Sequence, residues 1–346
     1  MLSVNIQKRF TGFTLDVQFE AERGVTALLG ASGSGKSVTL KCIAGVMKPD
    51  AGRIYRDGVA WFDKEKGIDL PPQKRQVGLL FQHYALFPNM TLLQNIEAAL
   101  HALARQQRRP RAMALLESFR LEGLGGLYPH QLSGGQQQRA ALCRILASEP
   151  EALLLDEPFA ALDSHLKWAL ELEMMETLRT FQGEVLLVTH DRGEAYRLSG
   201  HACVMDLGQN EALVPTERLF SAPRTKTAAL LSGCKNIAAI ERLGAHTLRV
   251  PAWGGQAFHT SAEIPAGAEY LGIRANHLRF GGPEEENAMP VRVESITPDL
   301  FSTAYTLLAG SGLIRLEGGK AMPGAPGLHE QACVILPADA MMLLEA

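Results

Sequence analysis

The fold of the first part of the chain is decided by one stretch, Gly24-Val25-Thr26-Ala27-Leu28-Leu29-Gly30-Ala31-Ser32-Gly33-Ser34-Gly35-Lys36-Ser37. An apolar run ending in glycine predicts a short buried strand, and the Gly/Ser-rich segment after it predicts a loop. Residues 38–44 have helical character, so a strand, a loop and a helix follow one another. Backbone N–H groups of such a loop bind phosphate oxygens, and the helix N-terminus adds the positive end of its dipole. Residues 30–37 therefore predict a nucleotide-phosphate site.

The last two loop residues carry side chains with separate roles in this pattern, G-x-x-x-x-G-K-[ST]. Lys36 is predicted to reach the β- and γ-phosphates as a point charge, and the Ser37 hydroxyl to coordinate Mg²⁺. Val38, the next residue, is included in the predicted nucleotide site. A chance match in a glycine-rich chain is the alternative, and the strand and helix around the loop count against it.

A second apolar run, residues 152–155, ends in two carboxylates, Asp156 and Glu157. Asp156 is the candidate for the metal side of the site, and Glu157 is the candidate general base for the attacking water. Taken alone, an Asp-Glu pair after a strand is more often a helix N-cap. Its position downstream of the phosphate loop favours the catalytic interpretation.

Two further segments have a structural and a functional interpretation. His190 follows the apolar run 185–189 and can donate a hydrogen bond to the γ-phosphate, although a lone histidine at a strand end is usually structural. In the functional interpretation, Ser133 caps the helix after it and the N–H groups that follow bind an anion. In the structural interpretation, the segment is an ordinary capped helix. The run in question is Ser133-Gly134-Gly135-Gln136.

The composition is that of a folded protein with more than one domain. The 346 residues exceed what one hydrophobic core usually holds, and 46% apolar with 21% charged residues is not a disordered composition. A net charge of −3 provides no basic field, so no nucleic-acid partner is expected. No apolar run approaches the roughly 20 residues that span a bilayer, so the chain is not expected to cross one. The cysteines are odd in number without C-x-x-C spacing, which favours a reducing compartment over disulfides or zinc: Cys42, Cys143, Cys203, Cys234, Cys333.

Along the chain, the spacing of apolar residues predicts two kinds of domain. Residues 91–147 have mostly helical periodicity, interrupted near Pro110 and residues 123–126, and residues 162–180 are again helical. Strands that alternate with helices predict a parallel sheet with both faces covered. From about Gly233, short alternating segments separated by Gly and Pro predict a small all-β domain.

Taken in order, these segments resemble the ATP-binding subunit of ABC transporters, and the run Leu132-Ser133-Gly134-Gly135-Gln136 is the most specific among them. The resemblance covers essentially the whole chain. It implies an α/β P-loop NTPase cassette at residues 1–232, with a mostly parallel sheet core and a helical subdomain at about 88–150. A C-terminal β regulatory domain of small-barrel, OB-like type is implied at residues 233–346.

The resemblance also implies roles that spacing alone does not give. Two copies dimerise head to tail, so that each ATP lies between one chain's phosphate loop and the other chain's Ser133 run. Gln82 would contact Mg²⁺ or the attacking water, and Asp163 would link the two active sites. Phe10, or less readily Phe13, would stack on adenine, although an isolated aromatic is as often part of the core.

Several features are most similar to importer ATPases, and among these to molybdate importers. Residues 62–72 and 13–30 carry the molybdate resemblance, whereas Phe81-Gln82-His83-Tyr84-Ala85-Leu86-Phe87 fits sulfate, sugar and polyamine importers equally. The expected partners are a second copy, integral membrane permease subunits and, indirectly, a substrate-binding protein. The expected place is the cytoplasmic face of the cell membrane, where the chain is peripheral.

Two alternatives from other classes remain. One is a soluble ABC-type ATPase in DNA repair or on ribosomes, against which the single compact cassette with a β tail speaks. The other is a scaffold that binds nucleotide without catalysis, which would require the loss of a catalytic group. Lys36, Glu157 and His190 are all present.

Overall fold

The structure is a computed structural model of the 346-residue chain. It describes residues 1–81, 84–160, 164–320 and 325–346, with the side chains of residues 164–166 left out of the description. The described chain forms two compact units, Met1–Thr216 and Glu217–Ala346.

Unit 1 is built on one sheet, in which neighbouring strands follow the order β6-β5-β4-β1-β2-β11-β10-β3-β9-β8-β7, with β12 paired to β10. Its strands are β1 (Leu2–Phe10), β2 (Phe13–Ala21), β3 (Gly24–Leu29), β4 (Ala51–Arg56), β5 (Val59–Asp63), β6 (Ile68–Asp69), β7 (Val77–Leu80), β8 (Ala152–Asp156), β9 (Glu184–Thr189), β10 (His201–Asp206), β11 (Gln209–Asn210) and β12 (Val214–Pro215).

Five neighbouring strands, β10-β3-β9-β8-β7, are parallel. Every residue of β8 and β9 is buried, as expected for strands with both faces covered. This confirms the parallel core that the apolar runs predict. Because parallel strands end at the same edge, the residues after β3, β8 and β9 are brought together there.

Outside these five strands the pairs are antiparallel except for the short parallel pairing of β11 with β2, so the sheet as a whole is mixed. β1 pairs with both β2 and β4 in antiparallel register, and β5 and β6 continue that part. In β2, buried and exposed residues alternate, which is the pattern of a strand with one covered face. The same alternation in Leu2, Val4 and Ile6 is the sequence signal for β1.

The helices are α1 (Lys36–Ile43), α2 (Leu92–Ala99), α3 (Arg105–Ser118), α4 (Gly134–Ala147), α5 (Ser164–Thr180), α6 (Arg192–Leu198), α7 (Thr216–Ser221) and α8 (Lys226–Leu231). Helices α2, α3 and α4 share an apolar cluster that includes Ile96, Leu116 and Cys143. Pro110 lies inside α3, so the predicted interruption there is wrong. The C=O of Gln106, which loses its helical partner to the proline, is on an exposed residue where water can bind it. Among the helices described, none has the length and apolar character needed to traverse a bilayer.

Unit 2 is rich in β-structure, as the punctuated C-terminal sequence predicts. Its three sheets have the orders β13-β17-β23, β14-β15-β16 and β18-β22-β19-β20-β21, around one core that includes Trp253, Phe258 and Leu307. The strands are β13 (Asn236–Ala239), β14 (Glu241–Arg242), β15 (Thr247–Arg249), β16 (Ala257–His259), β17 (Tyr270–Ile273), β18 (Arg279–Gly281), β19 (Ala288–Pro298), β20 (Ser302–Ala309), β21 (Gly312–Gly319), β22 (Gln331–Ile335) and β23 (Met342–Leu344).

The division between the units falls after Thr216, upstream of the change in texture at Gly233. The reason is α8, whose Ala229 packs with Cys234 and Leu344 in an apolar cluster of unit 2. A short helix of small apolar residues gives no sequence signal of the side on which it packs.

Candidate active site

The loop between β3 and α1 depends on two glycines. Gly35 has φ +103°, and a Cβ on it would lie 2.6 Å from Leu15 Cδ1. A Cβ on Gly30 would lie 2.3 Å from the carbonyl oxygen of Met205. Both contacts are shorter than van der Waals distance, so neither position accepts a larger residue without a shift of the loop.

Gly35 is the N-cap of α1 and has no side chain to cap the helix. The first helical hydrogen bond runs from Thr39 N to Gly35 O, at 2.9 Å. The N–H groups of Lys36, Ser37 and Val38 therefore have no partner inside the helix. They form an anion-binding end at the positive pole of the helix dipole.

Lys36 is the first residue of α1, is only 4% exposed, and directs its side chain back into the loop. Its Nζ donates hydrogen bonds to the carbonyl oxygens of Gly30 and Ala31, at 2.8 Å each. Burial lowers the pKa of the ammonium, against the opposing effect of the Glu157 and Asp156 carboxylates. The cation is thus held at the loop by neutral carbonyls, which leaves its charge available to a phosphate.

Ser37, in the first turn of α1, contacts Asp156, the last residue of β8. Ser37 Oγ donates to Asp156 Oδ1 at 2.8 Å, across 119 positions of sequence. Burial raises the pKa of Asp156, while the hydrogen bond from Ser37 lowers it. Asp156 therefore bonds to the α1 side chain predicted to share a metal with it.

Glu157 has φ +46°, a left-handed conformation that costs about 1–2 kcal/mol in a residue with a Cβ. Its N–H donates to Val188 O at 3.0 Å, which ties the end of β8 to β9. His190 Nδ1 lies 3.2 Å from Glu157 Oε1. The predicted base and the predicted phosphate-binding histidine are thus in direct contact.

Four residues that form contacts around the turn at His190 were not predicted from the sequence: Lys167, Thr189, Asp191 and Glu194. Lys167 Nζ binds Asp191 Oδ2 at 2.5 Å and Glu194 Oε1 at 2.6 Å, and Thr189 Oγ1 donates to Glu194 Oε2 at 2.5 Å. Asp191 caps α6, and the Asp-x-x-Glu spacing to Glu194 was the available sequence signal. Lys167 had no such signal.

A cavity of about 520 Å³ lies against the phosphate loop. Phe10 is 40% exposed, and its ring centroid is 6.1 Å from that of Phe13. Phe13 packs against the core, so Phe10 has the more accessible ring face for a base. The cavity is lined by Phe10, Phe13, Ser32, Gly33, Gly35, Lys36, Ser37, Val38 and Glu157.

The start of α4 contributes none of this lining among the described residues. Ser133 is its N-cap: Ser133 Oγ accepts from Gln136 N at 3.3 Å, and Gln136 Oε1 accepts from Ser133 N at 2.9 Å. The N–H groups of Gly134 and Gly135 have no helical partner. A Cβ on Gly135 would lie 3.0 Å from Leu170 Cδ1. Two predicted site residues, Gln82 and Asp163, lie outside the described residues.

Comparison with known sequences places these features in a family. A profile described as ABC transporter matches residues 14–160. The sulfate/thiosulfate import ATP-binding protein CysA of Halalkalibacterium halodurans is 35% identical, over 84% of this chain and 82% of its own length. The molybdenum import ATP-binding protein ModC of Paramagnetospirillum magneticum is 35% identical, over 90% and 88%. The spermidine/putrescine import ATP-binding protein PotA of Nitrosospira multiformis is 35% identical, over 82% and 80%.

Comparison with solved structures gives the same family for the cassette. An ATP-binding cassette described as a dimer in a post-hydrolysis state, bound to ADP and Pi, has a TM-score of 0.54 and 29% identity. The match covers 62% of this chain and 99% of that chain.

Proposed function

The chain belongs to the ABC transporter family as an importer-type, ATP-hydrolysing subunit, and from this premise we propose how its residues bind and split ATP and which cargo it serves. The proposal rests on contacts among the residues at the ends of β3, β8 and β9. Ser37 contacts Asp156 at 2.8 Å, and Glu157 contacts His190 at 3.2 Å, beside a cavity of about 520 Å³.

Residues 30–38 bind the phosphates of ATP. The open N–H groups of Lys36, Ser37 and Val38 donate to phosphate oxygens, and the Lys36 ammonium exchanges carbonyl acceptors for the β- and γ-phosphates. Phe10 stacks on the adenine, because its ring lines the cavity and is exposed.

The residues present fit a Mg²⁺ ion. Mg²⁺ prefers oxygen ligands and usually binds one or two protein groups together with substrate phosphates and water. Ser37 Oγ and Asp156 Oδ1, 2.8 Å apart, are two such oxygens, and we assign Gln82 as a third contact. When bound, the ion neutralises charge on the transferred phosphoryl group.

Glu157 accepts a proton from the water that attacks the γ-phosphate. His190 donates a hydrogen bond to that phosphate and holds the Glu157 carboxylate through Nδ1. The left-handed backbone at Glu157 directs its side chain away from the course of β8, so that Asp156 and Glu157 serve separate purposes.

Two copies of the chain form the hydrolytic unit, with the open N–H groups at the start of α4 on one copy facing ATP on the other. A dimeric cassette structure with ADP and Pi supports this arrangement. Asp163 links the two sites across the dimer. ATP favours the closed pair and hydrolysis releases it, which is a population shift driven by differential affinity.

The partners are integral membrane permease subunits and, through them, a substrate-binding protein, with this chain at the cytoplasmic face of the membrane. We propose an oxyanion cargo, molybdate in particular, supported by the resemblance in residues 13–30 and 62–72 and by the match to ModC. Sulfate is the second candidate because CysA matches at the same identity. Residues 233–346 are proposed to regulate transport.

The catalytic assignment is tested by Glu157→Gln in the full chain. The amide keeps the size of the side chain but removes the base, so ATP turnover should fall about 10²–10⁴-fold while ATP still binds. An ATP-bound dimer should accumulate, which size-exclusion chromatography detects. Glu65→Gln, on an exposed residue, is the control and should leave turnover unchanged. Normal turnover in Glu157→Gln would remove Glu157 as the base.

The cargo is tested by reconstituting the chain with its permease and binding protein in liposomes. ATP hydrolysis should be stimulated by binding protein loaded with molybdate and less by the same protein with sulfate. The opposite order would assign the chain to sulfate import, and stimulation by a polyamine alone would exclude an oxyanion cargo.

A further inference from the structure

Lys167 connects two segments of the site. It lies in the first turn of α5, which begins at Ser164, directly after the segment that contains Asp163. Its ammonium binds the carboxylates of Asp191 and Glu194 at 2.5 and 2.6 Å. Asp191 is the residue next to His190, so one cation joins the start of α5 to the turn that holds the histidine.

The turn around His190 is closed by further hydrogen bonds to the same groups. Asp191 N donates to Thr189 Oγ1 at 2.9 Å, and Thr189 Oγ1 donates to Glu194 Oε2 at 2.5 Å. Asp191 Oδ1 accepts from Gly193 N at 2.7 Å and from Glu194 N at 3.2 Å. Residues on both sides of His190 are therefore fixed, and Lys167 is the member that comes from another helix.

We propose that Lys167 is a positioning residue, which holds His190 against Glu157. The inference rests on the proposed roles of His190 and Glu157. Its structural basis is that His190 is itself 55% exposed and contacts Glu157 at 3.2 Å, so its side chain depends on the backbone turn for its place. A displacement of about 1 Å in a catalytic group can cost on the order of 10²-fold in rate.

The electrostatics of Lys167 and Glu194 favour a stable ion pair between them. Glu194 is buried, and burial raises its pKa, against the opposing hydrogen bond from Lys167. Burial alone would lower the pKa of Lys167, but its hydrogen bonds to Asp191 and Glu194 raise it. Removal of the ammonium would leave a buried carboxylate without its cation, and the turn would rearrange to reach water or other donors.

The chain contains a matched control in the same two helices. Arg197 of α6 forms an ion pair with Glu171 of α5, and Glu171 is 3% exposed. This pair also joins α5 to α6 through a buried carboxylate. Among the described residues this pair makes no hydrogen bond or ion pair with Thr189 or Asp191, so it should support the helices without placing His190.

The test measures ATP turnover and ATP affinity in full-length Lys167→Met, Lys167→Arg and Arg197→Met. Lys167→Met should lower kcat about 10- to 100-fold, with KM for ATP changed less than about 3-fold, because the phosphate loop is intact. Lys167→Arg keeps the charge and should recover most of kcat. Arg197→Met should keep kcat even where its Tm falls as far as that of Lys167→Met. Equal losses of kcat in the two methionine variants would overturn the proposal.

A double-mutant cycle shows whether Lys167 acts through His190. In single-turnover reactions, Lys167→Met added to His190→Ala should cause little further loss, because the group that it positions is already absent. Multiplying losses would assign Lys167 a separate role and overturn the proposal. If His190→Ala itself keeps full turnover, the assignment of His190 fails; if His190→Ala is inactive but Lys167→Met matches its control, the positioning role alone fails.

Discussion

The starts of α1 and α4 are both glycine-rich helix N-termini, but the structure leaves them in different states. At α1 the N-cap is Gly35, which provides no side chain, and the neighbouring Lys36 ammonium lies inside the loop. At α4 the N-cap is Ser133, whose hydroxyl and Gln136 amide complete a reciprocal capping box. The N–H groups at the start of α1 have no side-chain cap and are left for an anion, whereas the capping box at the start of α4 satisfies two backbone N–H donors, those of Ser133 and Gln136.

The difference separates two ways of binding the same nucleotide. The α1 end lies in a cavity with a buried cation and adjacent carboxylates, so one subunit displays most of the chemistry. The α4 end offers the free N–H groups of Gly134 and Gly135 together with the hydroxyl hydrogen of Ser133, and its ligand comes from a second subunit in the proposed dimer. A self-capped helix that stays ordered before its ligand arrives loses less entropy on closure.

The largest effect in this comparison should follow from Lys36→Ala, at the open end. Loss of a buried cation that binds two phosphates removes charge-assisted hydrogen bonds, so ATP affinity and turnover should together fall about 10³-fold or more. Nucleotide binding by calorimetry and steady-state hydrolysis measure the two losses.

Lys48→Ala is the control for Lys36→Ala, since Lys48 forms an exposed ion pair with Asp69 and should change neither quantity. Full ATP affinity in Lys36→Ala would mean that the open N–H groups alone bind the phosphates. The α1 end would then resemble the α4 end, and the contrast between them would disappear.

A smaller effect is expected from Ser133→Ala, at the capped end. The hydroxyl caps α4, so its loss should lower the free energy of unfolding by about 1 kcal/mol. In the dimer it would also lose a hydrogen bond to a phosphate, worth about 1.5–3 kcal/mol, which corresponds to a 10- to 150-fold lower turnover. Urea unfolding and ATP hydrolysis measure the two effects independently.

Helix α2 supplies the control for Ser133→Ala, because Thr91 and Gln94 form the same reciprocal capping box there. Thr91→Ala should cause a similar loss of stability without loss of turnover. If both variants lose stability equally and neither loses turnover, Ser133 is only a cap, and the proposed dimer does not use its hydroxyl.

The two helix starts also differ in how far the sequence predicts them. The strand and helix around residues 30–37 were predicted within about two residues of their bounds, because the buried end of β3 is an apolar run that stops at the glycine-rich loop. The cap at Ser133 follows from the local Ser-x-x-Gln spacing. The roles of the site residues stay predictions, and those of Gln82 and Asp163 fall outside the described structure.

What the sequence did not predict depends on contacts between distant positions. Lys167 reaches Asp191 across 24 positions, and no local spacing encodes that contact. The antiparallel part of the sheet was missed for a different reason. The alternation at Leu2, Val4 and Ile6 was present, but polar residues between them hid a strand with one covered face.

The smallest expected effect concerns Asp156, which accepts a hydrogen bond from Ser37 at the start of α1. Burial raises the pKa of Asp156 above its ordinary value of 3.8, so the folded chain binds a proton more tightly than the unfolded chain. Stability without nucleotide should therefore fall as pH rises from about 4 through the raised pKa.

Asp156→Asn removes this charge while the amide oxygen still accepts from Ser37 Oγ. The variant should be more stable than the native chain by roughly 1 kcal/mol at pH 8. The gain should shrink as the pH is lowered through the raised pKa of Asp156, because the native side chain then takes up a proton and loses its charge.

Urea unfolding from pH 8 to about pH 4, without nucleotide and with EDTA, measures the difference between Asp156→Asn and the native chain. Mg-ATP should reverse the order, because a ligand that binds the native fold stabilises it by mass action and the variant lacks the carboxylate proposed to contact the ion. Asp63→Asn is a contrasting control: hydrogen bonds from Tyr55 and from backbone N–H groups lower the pKa of Asp63, so its amide variant should be less stable at pH 8. If Asp156→Asn also proves less stable at pH 8, the carboxylate stabilises the empty site through Ser37. The open end of α1 would then be complete without ligand, as the start of α4 is.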